Sequence, residues 1–330
     1  GWPLVHNFAM YVRKDVAAQL WDYGPEAAQA GSPAEDPYSK QYRQITAERS
    51  IASAEIGAFD PRGLALDTEG RLIVTDAANS RLLVFAADGS LAAKWGTQGA
   101  EPLQFQEPWG VAVGPSGAIY VADTWNHRIQ KLDAQGRYLA SWGTFGQTQG
   151  MAQGPGIFYG PRGIAVDAEG NVWVTDTGNK RVCKFDADGR LQGEYGGSGV
   201  GDGQFQEPVG IALDVQGNVY VADTWNQRIQ VFDSGFHYLR QWPIDGWWGQ
   251  SASNKPFLSV DALGNVYVTD PEAQRVVKFS GEGKVLAVWG KMGSDLSSFS
   301  LPIGIVVDRQ GHVLVADGGN GRVLDFAPIP

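Results

Sequence analysis

The chain has 330 residues, 43% of them hydrophobic and 19% charged, with a formal net charge of −10. An acidic balance opposes phosphate backbones, which are bound through clustered Lys and Arg, so nucleic acid is not the expected partner. The single cysteine excludes a disulfide framework, and no run is long and apolar enough to span a membrane.

Residues 1–43 form an N-terminal segment with its own character. Asn7 can cap a short helix running to about Tyr23, with Gly24 at its end and Pro25 after it. Phe8, Val12, Val16, Leu20 and Trp21 make one apolar stripe on that helix, suited to packing on the body of the protein or on a part upstream. The chain begins Gly-Trp-Pro without a leader-like apolar region, so it reads as a piece of something longer or as a processed product. Ala27 to Tyr42 is rich in Ala, Gly, Ser, Pro and Gln and reads as a strap. Gln44–Ile51 then has strand character.

From Pro61 onward the chain repeats. Val121-Ala-Asp-Thr-Trp-Asn-His-Arg-Ile-Gln130 returns as Val221-Ala-Asp-Thr-Trp-Asn-Gln-Arg-Ile-Gln230, with looser copies elsewhere. The pairs are Asp76 and Arg81, Asp123 and Arg128, Asp176 and Arg181, Asp223 and Arg228, Asp270 and Arg275, and Asp317 and Arg322. The arginines step by 47, 53, 47, 47 and 47 residues. Within the second copy, the apolar run 110–114, the β-branched run 118–122, the alternating run 128–132 and the run 138–142 are separated by turn residues. Four short antiparallel strands at this period, with no helical spacing, describe a propeller blade. The expected architecture is therefore all-β: a six-bladed β-propeller over residues 44–330, preceded by the helix and strap of 1–43.

The sixth copy stops at Phe326 with three strands, whereas the first copy has all four. The strand near 44–52 is expected to supply the missing outer strand and close the ring, removing a pair of open sheet edges.

The residues that carry the period also carry a family resemblance. Pro161-Arg-Gly-Ile-Ala-Val-Asp167, followed by Gly170-Asn-Val-Trp-Val-Thr-Asp-Thr-Gly-Asn-Lys-Arg-Val-Cys-Lys-Phe185, resembles the NHL repeat. The resemblance runs over about residues 44 to 330 and implies the propeller fold. NHL-like propellers host protein binding, RNA binding, ligand sensing and some lyases, so the fold alone does not name a function. The fifth copy departs from the pattern, with Pro256-Phe-Leu-Ser-Val-Asp261 and Pro271-Glu-Ala-Gln274 where glycine and asparagine are expected. The run 7–21 is similar to the segment that follows the membrane part of some bacterial glycosyltransferase-like proteins with a terminal NHL propeller. That similarity implies an extracytoplasmic domain, tethered to a membrane through an upstream part, with a glycan ligand.

The six Asp/Arg pairs are expected to be structural, because a catalytic pair is needed once and a structural pair once per blade. The aspartates ending each first strand (Asp67, Asp167, Asp214, Asp261 and Asp308) read the same way, with Gly114 breaking the set. His6, His127, His237 and His312 do not fall on one face, and no Cys/His spacing supports zinc, so no metal, cofactor or catalytic residue is assigned. Cys183 reads as a buried small hydrophobe.

Twelve tryptophans stand out. Trp95, Trp142, Trp242 and Trp289, with Tyr195 as counterpart, share one position of the fourth strand and read as structural. Trp109, Trp125, Trp225, Trp247, Trp248, Phe145, Phe158 and Tyr159 fall on one loop face. Aromatics among Asp, Asn and Gln suit stacking on sugars or peptides. The expected function is a non-catalytic binding domain for a carbohydrate on that face. The alternatives are a protein–protein scaffold and a metal-dependent lyase or hydrolase using the propeller channel.

Overall fold

The computed structural model describes residues 36–52, 56–147, 156–247 and 255–330. The N-terminal helix and Trp248 lie outside the described residues. A compact unit runs from Tyr38 to Pro330. It consists of six four-stranded antiparallel sheets, the blades of a β-propeller. Blade 1 is typical: Pro61–Leu66 is innermost, followed outward by Leu72–Asp76, Arg81–Phe85 and Leu91–Trp95. The middle strands are buried because neighbouring blades cover both faces. The outer strand alternates half-buried and exposed residues.

The ring closes as the strand count demands. Arg49–Ile51 lies antiparallel to Arg322–Phe326 and completes blade 6, with Ile51 opposite Val323. Arg49 Nε donates to Asp325 Oδ2 at 2.7 Å across this seam. The strap residues just before it are also seated: Tyr38 is buried against Phe279, its hydroxyl accepts from the Asp245 N–H, and Tyr42 bridges to Val288 of blade 5.

Two devices join the blades at the centre. The inner strands carry glycine where the next blade's backbone comes closest. A Cβ on Gly304 would stand 2.0 Å from the Arg62 carbonyl oxygen, and one on Gly163 would stand 2.1 Å from that of Val209. Blade 5 has Phe257 at this position. In the odd-numbered blades a buried threonine also acts as a latch. Thr75 Oγ1 accepts from Gly63 N and donates to Trp109 O, both at 2.7 Å, and Thr175 and Thr269 repeat this toward Val209 and Ile303.

At the periphery, the fourth-strand tryptophans fit over glycine turns of the following blade. Trp95 lies on Gly136, Trp142 on Gly189 and Trp242 on Gly283, where a Cβ would come within 2.3 to 2.6 Å of the indole. The corresponding turn of blade 4 carries Phe236 at φ 63 instead, and its ring stacks on Tyr195 at 4.4 Å.

Candidate functional site

The Asp-x-x-Asn-x-Arg turns occupy the face that also carries the links between blades. In each blade the aspartate is fully buried and receives the arginine Nε at 2.7 to 3.0 Å. In blade 4, Asp223 also accepts from Asn226 at 2.7 Å and from the Gln206 N–H at 2.9 Å. Arg228 reaches on to the carbonyls of Val200, Gly201 and Gln204. The motif thus staples each incoming link to its own blade. Burial pushes the Asp223 carboxyl above its usual range, against the pull of Asn226, Gln206 and Arg228. The residue before each arginine is left-handed, from Ser80 at φ 53 to Gln274 at φ 50.

Blade 5 keeps the Asp270–Arg275 bond at 2.8 Å but not the asparagine. Gln274 turns back onto the Glu272 carbonyl. Trp247, expected as a ligand contact, is instead core. It is 1% exposed, and its indole donates to Thr269 O at 3.2 Å. The irregular link places it beside Ile244, Trp242 and Leu258, where it fills the junction of blades 4 and 5.

Phe158 is a second correction, fully buried against Phe185. Phe105, Phe205 and Phe299 stand at the same distance before their inner strands and are also buried, so this is a repeated core position. Trp109 is the third. It is 2% exposed and has no free face for a ligand. The Arg62 guanidinium lies over its ring at 5.1 Å and that of Arg162 at 4.7 Å, each from a neighbouring blade.

The remaining aromatics fall into two groups. Trp125 and Phe145 are exposed, at 39% and 58%. With half-buried Tyr159 they surround His127: Phe145 is 4.8 Å from the imidazole, while Tyr159 and Trp125 are each 6.2 Å away. Phe145 and Tyr159 meet edge to face at 5.6 Å. Thr144–Phe145 pairs in parallel with Ile157–Phe158, as Thr97–Gln98 does with Gln104–Phe105 in the shorter link after blade 1; here the exposed position of the pair carries Phe145 and the residue after the buried Phe158 is Tyr159. His127 Nδ1 accepts the Gly160 N–H at 3.1 Å, and burial lowers its basicity. Trp225 stands apart from this cluster, half-buried, with the Lys255 ammonium 5.4 Å from its ring.

Between these groups lies a charged cluster at the mouth of the channel. Glu107 accepts the Trp109 indole on Oε1 at 3.2 Å and the Trp125 indole on Oε2 at 3.0 Å, tying the outer rings to the mouth. Arg62 pairs with Asp60 at 3.2 Å. Glu207 takes both Arg162, at 3.1 Å, and Lys255, at 2.6 Å. Burial pushes Lys255 below the usual lysine range and Asp60 above the usual carboxylate range. His127, Arg62, Arg162, Glu107, Glu207 and Lys255 are absent from the set read off the sequence. The available clue was the variable residue of Pro-x-Gly, which is Arg62, Trp109 and Arg162 in successive blades. Lys255 replaces the inner-strand proline of blade 5.

At the opposite end the channel opens into a cavity of about 440 Å³ whose lining includes Asp167, Asp214, Asp261 and Asp308. These carboxylates accept from the amides of their own turns, as Asp214 does from Gln216 and Asn218. Among the described residues no group of three His, Cys, Asp or Glu side chains could hold a metal ion, and no helix is long and apolar enough to cross a membrane.

The fold and its stapled turns define a six-bladed repeat propeller. The NHL repeat family is matched at residues 60–85, 105–132, 158–185, 205–232 and 299–326, in every blade but the divergent fifth. The chain belongs to the NHL-repeat propellers. By sequence, no curated protein matches it. Solved structures share the fold at low identity. A streptogramin B lyase is 15% identical, with 84% of this chain and 96% of that chain covered and a TM-score of 0.58. A gluconolactonase from Xanthomonas campestris is 16% identical, with coverage of 87% and 98% and a TM-score of 0.57. Virginiamycin B lyase from Staphylococcus aureus is 13% identical, with coverage of 82% and 85% and a TM-score of 0.56.

Proposed function

We propose that this propeller is a non-catalytic, extracytoplasmic binding domain that holds a carbohydrate or glycan-like ligand on its loop face. The observation that carries this reading is the ring cluster of Trp125, Phe145 and Tyr159 around His127, with two of the rings open to solvent. Trp125 is held in one orientation by its bond to Glu107. A rigid aromatic with its polar handle satisfied offers a platform at little entropic cost. Glu107 beside it supplies an acceptor for hydroxyls, while the Asn126 amide is spent on Gly99 O and Asp123 within the turn. The Asp/Arg pairs take no part, since each is consumed by its own blade.

Loss of one stacking ring costs about 0.5–1.5 kcal/mol, or roughly a 2- to 13-fold weaker Kd. Titration of tryptophan fluorescence with a glycan panel is expected to show saturable change in the wild type and at least this weakening in Trp125→Ala/Phe145→Ala. Binding that is unaffected by the double substitution would refute the site. Absence of any glycan response, together with capture of a peptide lost in the same variant, would establish the scaffold reading instead. An enzymatic reading draws on one observation, the buried Lys255–Glu207 pair in the channel mouth. Turnover of a bound glycan, abolished in Lys255→Met, would establish it.

A further inference from the structure

Two turns of this chain are the same up to their last residue. Thr124-Trp-Asn-His127 in blade 2 and Thr224-Trp-Asn-Gln227 in blade 4 share a 3-10 turn, and His127 and Gln227 share the left-handed conformation, at φ 54 and 52. The histidine is what sets the blade 2 turn apart, and it is fixed from the next blade. Asp176 takes the Tyr159 N–H at 2.7 Å and Gly178 N donates to Tyr159 O at 2.8 Å, which anchors the backbone that brings Gly160 to His127. Because Nδ1 accepts the Gly160 N–H, that nitrogen carries no proton, and the neutral imidazole keeps its proton on Nε2. This Nε2–H has no partner among the described residues, and the half-buried ring leaves it within reach of solvent. It is a donor of fixed direction with the rings of Phe145, Tyr159 and Trp125 around it. The Trp125 indole and the Asn126 amide are spent on Glu107, Gly99 and Asp123, while the Tyr159 hydroxyl can serve as donor or acceptor. A sugar hydroxyl set on Nε2–H must still place its own proton among ring carbons. A carbonyl oxygen accepts without that demand. An acetamido group adds an N–H suited to a phenol oxygen and a methyl suited to an exposed aromatic face.

We infer that the ligand is an N-acetylated sugar whose acetamido carbonyl accepts from His127 Nε2–H while its methyl lies against Phe145. This rests on the glycan reading above and goes further by naming the substituent and the residue that reads it.

The test is calorimetric titration with two matched pairs of sugars, chitotetraose against cellotetraose and N-acetyllactosamine against lactose. The members of each pair have the same linkages and differ only in acetamido groups that replace 2-hydroxyls. The wild type is expected to bind the acetamido member of at least one pair about tenfold tighter, the scale of one hydrogen bond with its buried methyl. His127→Phe keeps a ring in the cluster but removes the donor, and it is expected to erase that preference, with a thermal melt to report the fold. A second readout needs no substitution: in the wild type, the His127 Nε2–H proton resonance is expected to shift and to exchange more slowly with water when the acetamido sugar is bound. Equal binding or none within both pairs, a preference that survives in folded His127→Phe, or an Nε2–H signal unmoved at saturation would each overturn the inference. If any glycan of the panel then still binds and is weakened in Trp125→Ala/Phe145→Ala, the platform stands without the acetamido contact. Binding of no glycan at all would overturn both.

Discussion

Asp317→Ala in blade 6 separates the structural role of the repeated pair from a chemical one. Asp317 is fully buried and accepts from Ser300 N at 2.8 Å, Leu301 N at 3.0 Å, Asn320 Nδ2 at 2.7 Å and Arg322 Nε at 3.0 Å. Its removal strands a buried guanidinium and frees two link amides. Breaking one side of a buried ion pair costs about 3–5 kcal/mol. An unfolding entropy of about 2.1 cal/mol/K per residue, over roughly 290 residues in the compact unit, amounts to about 0.6 kcal/mol/K. The expected fall in Tm is then about 5–8 °C by calorimetry. Arg190→Ala is the control. Its pairs with Asp186 and Asp188 are at 3.3 and 3.1 Å, but its side chain is 73% exposed, and such pairs contribute about 0–1 kcal/mol. The lesion lies in blade 6, whereas the proposed site is built by blades 2 to 5, so glycan affinity at 25 °C should be unchanged in Asp317→Ala. A melt no lower than that of the control would refute the stapling argument and return the acid–base pairs to the list of functional groups.

Two further outcomes follow from the geometry. Gly304→Ala pushes a methyl into the Arg62 carbonyl oxygen at 2.0 Å and should destabilise by at least about 1–3 kcal/mol, measured by denaturant titration. The turn substitution Gly264→Ala, where nothing lies within 4 Å, bears only the penalty of its left-handed φ of 81°, about 1–2 kcal/mol. His127 should titrate below the ordinary histidine value of 6.5, because burial disfavours the cation and Nδ1 must stay unprotonated to accept from Gly160. The unfolded chain takes up its proton first, so stability should fall as pH drops through 6.5 and toward the folded value. Histidine resonances followed by NMR against pH check this; a midpoint at or above 6.5 would contradict the burial of the ring.

Most of the fold was legible because a propeller is written locally. Each blade needs its own turn aspartate, left-handed residue and arginine, so the same letters recur at each period and state both blade number and structural role. Closure by residues 49–51 was legible for a related reason: a missing fourth strand is a deficit that can be counted. The site obeys no such rule. Trp109, Trp125, Phe158 and Trp247 look alike as letters on a loop face, yet three of them are buried and one is open. Burial there depends on which neighbour reaches across: two guanidiniums for Trp109, Phe185 for Phe158 and the altered link of blade 5 for Trp247. The sharing of Glu207 by Arg162 and Lys255, residues 45 and 48 positions from it, exists only because the ring brings three inner strands to one mouth. Sequence by itself determined the repeat and its closure; the tertiary structure alone decided which aromatic rings face solvent and which buried charges are brought together at the mouth.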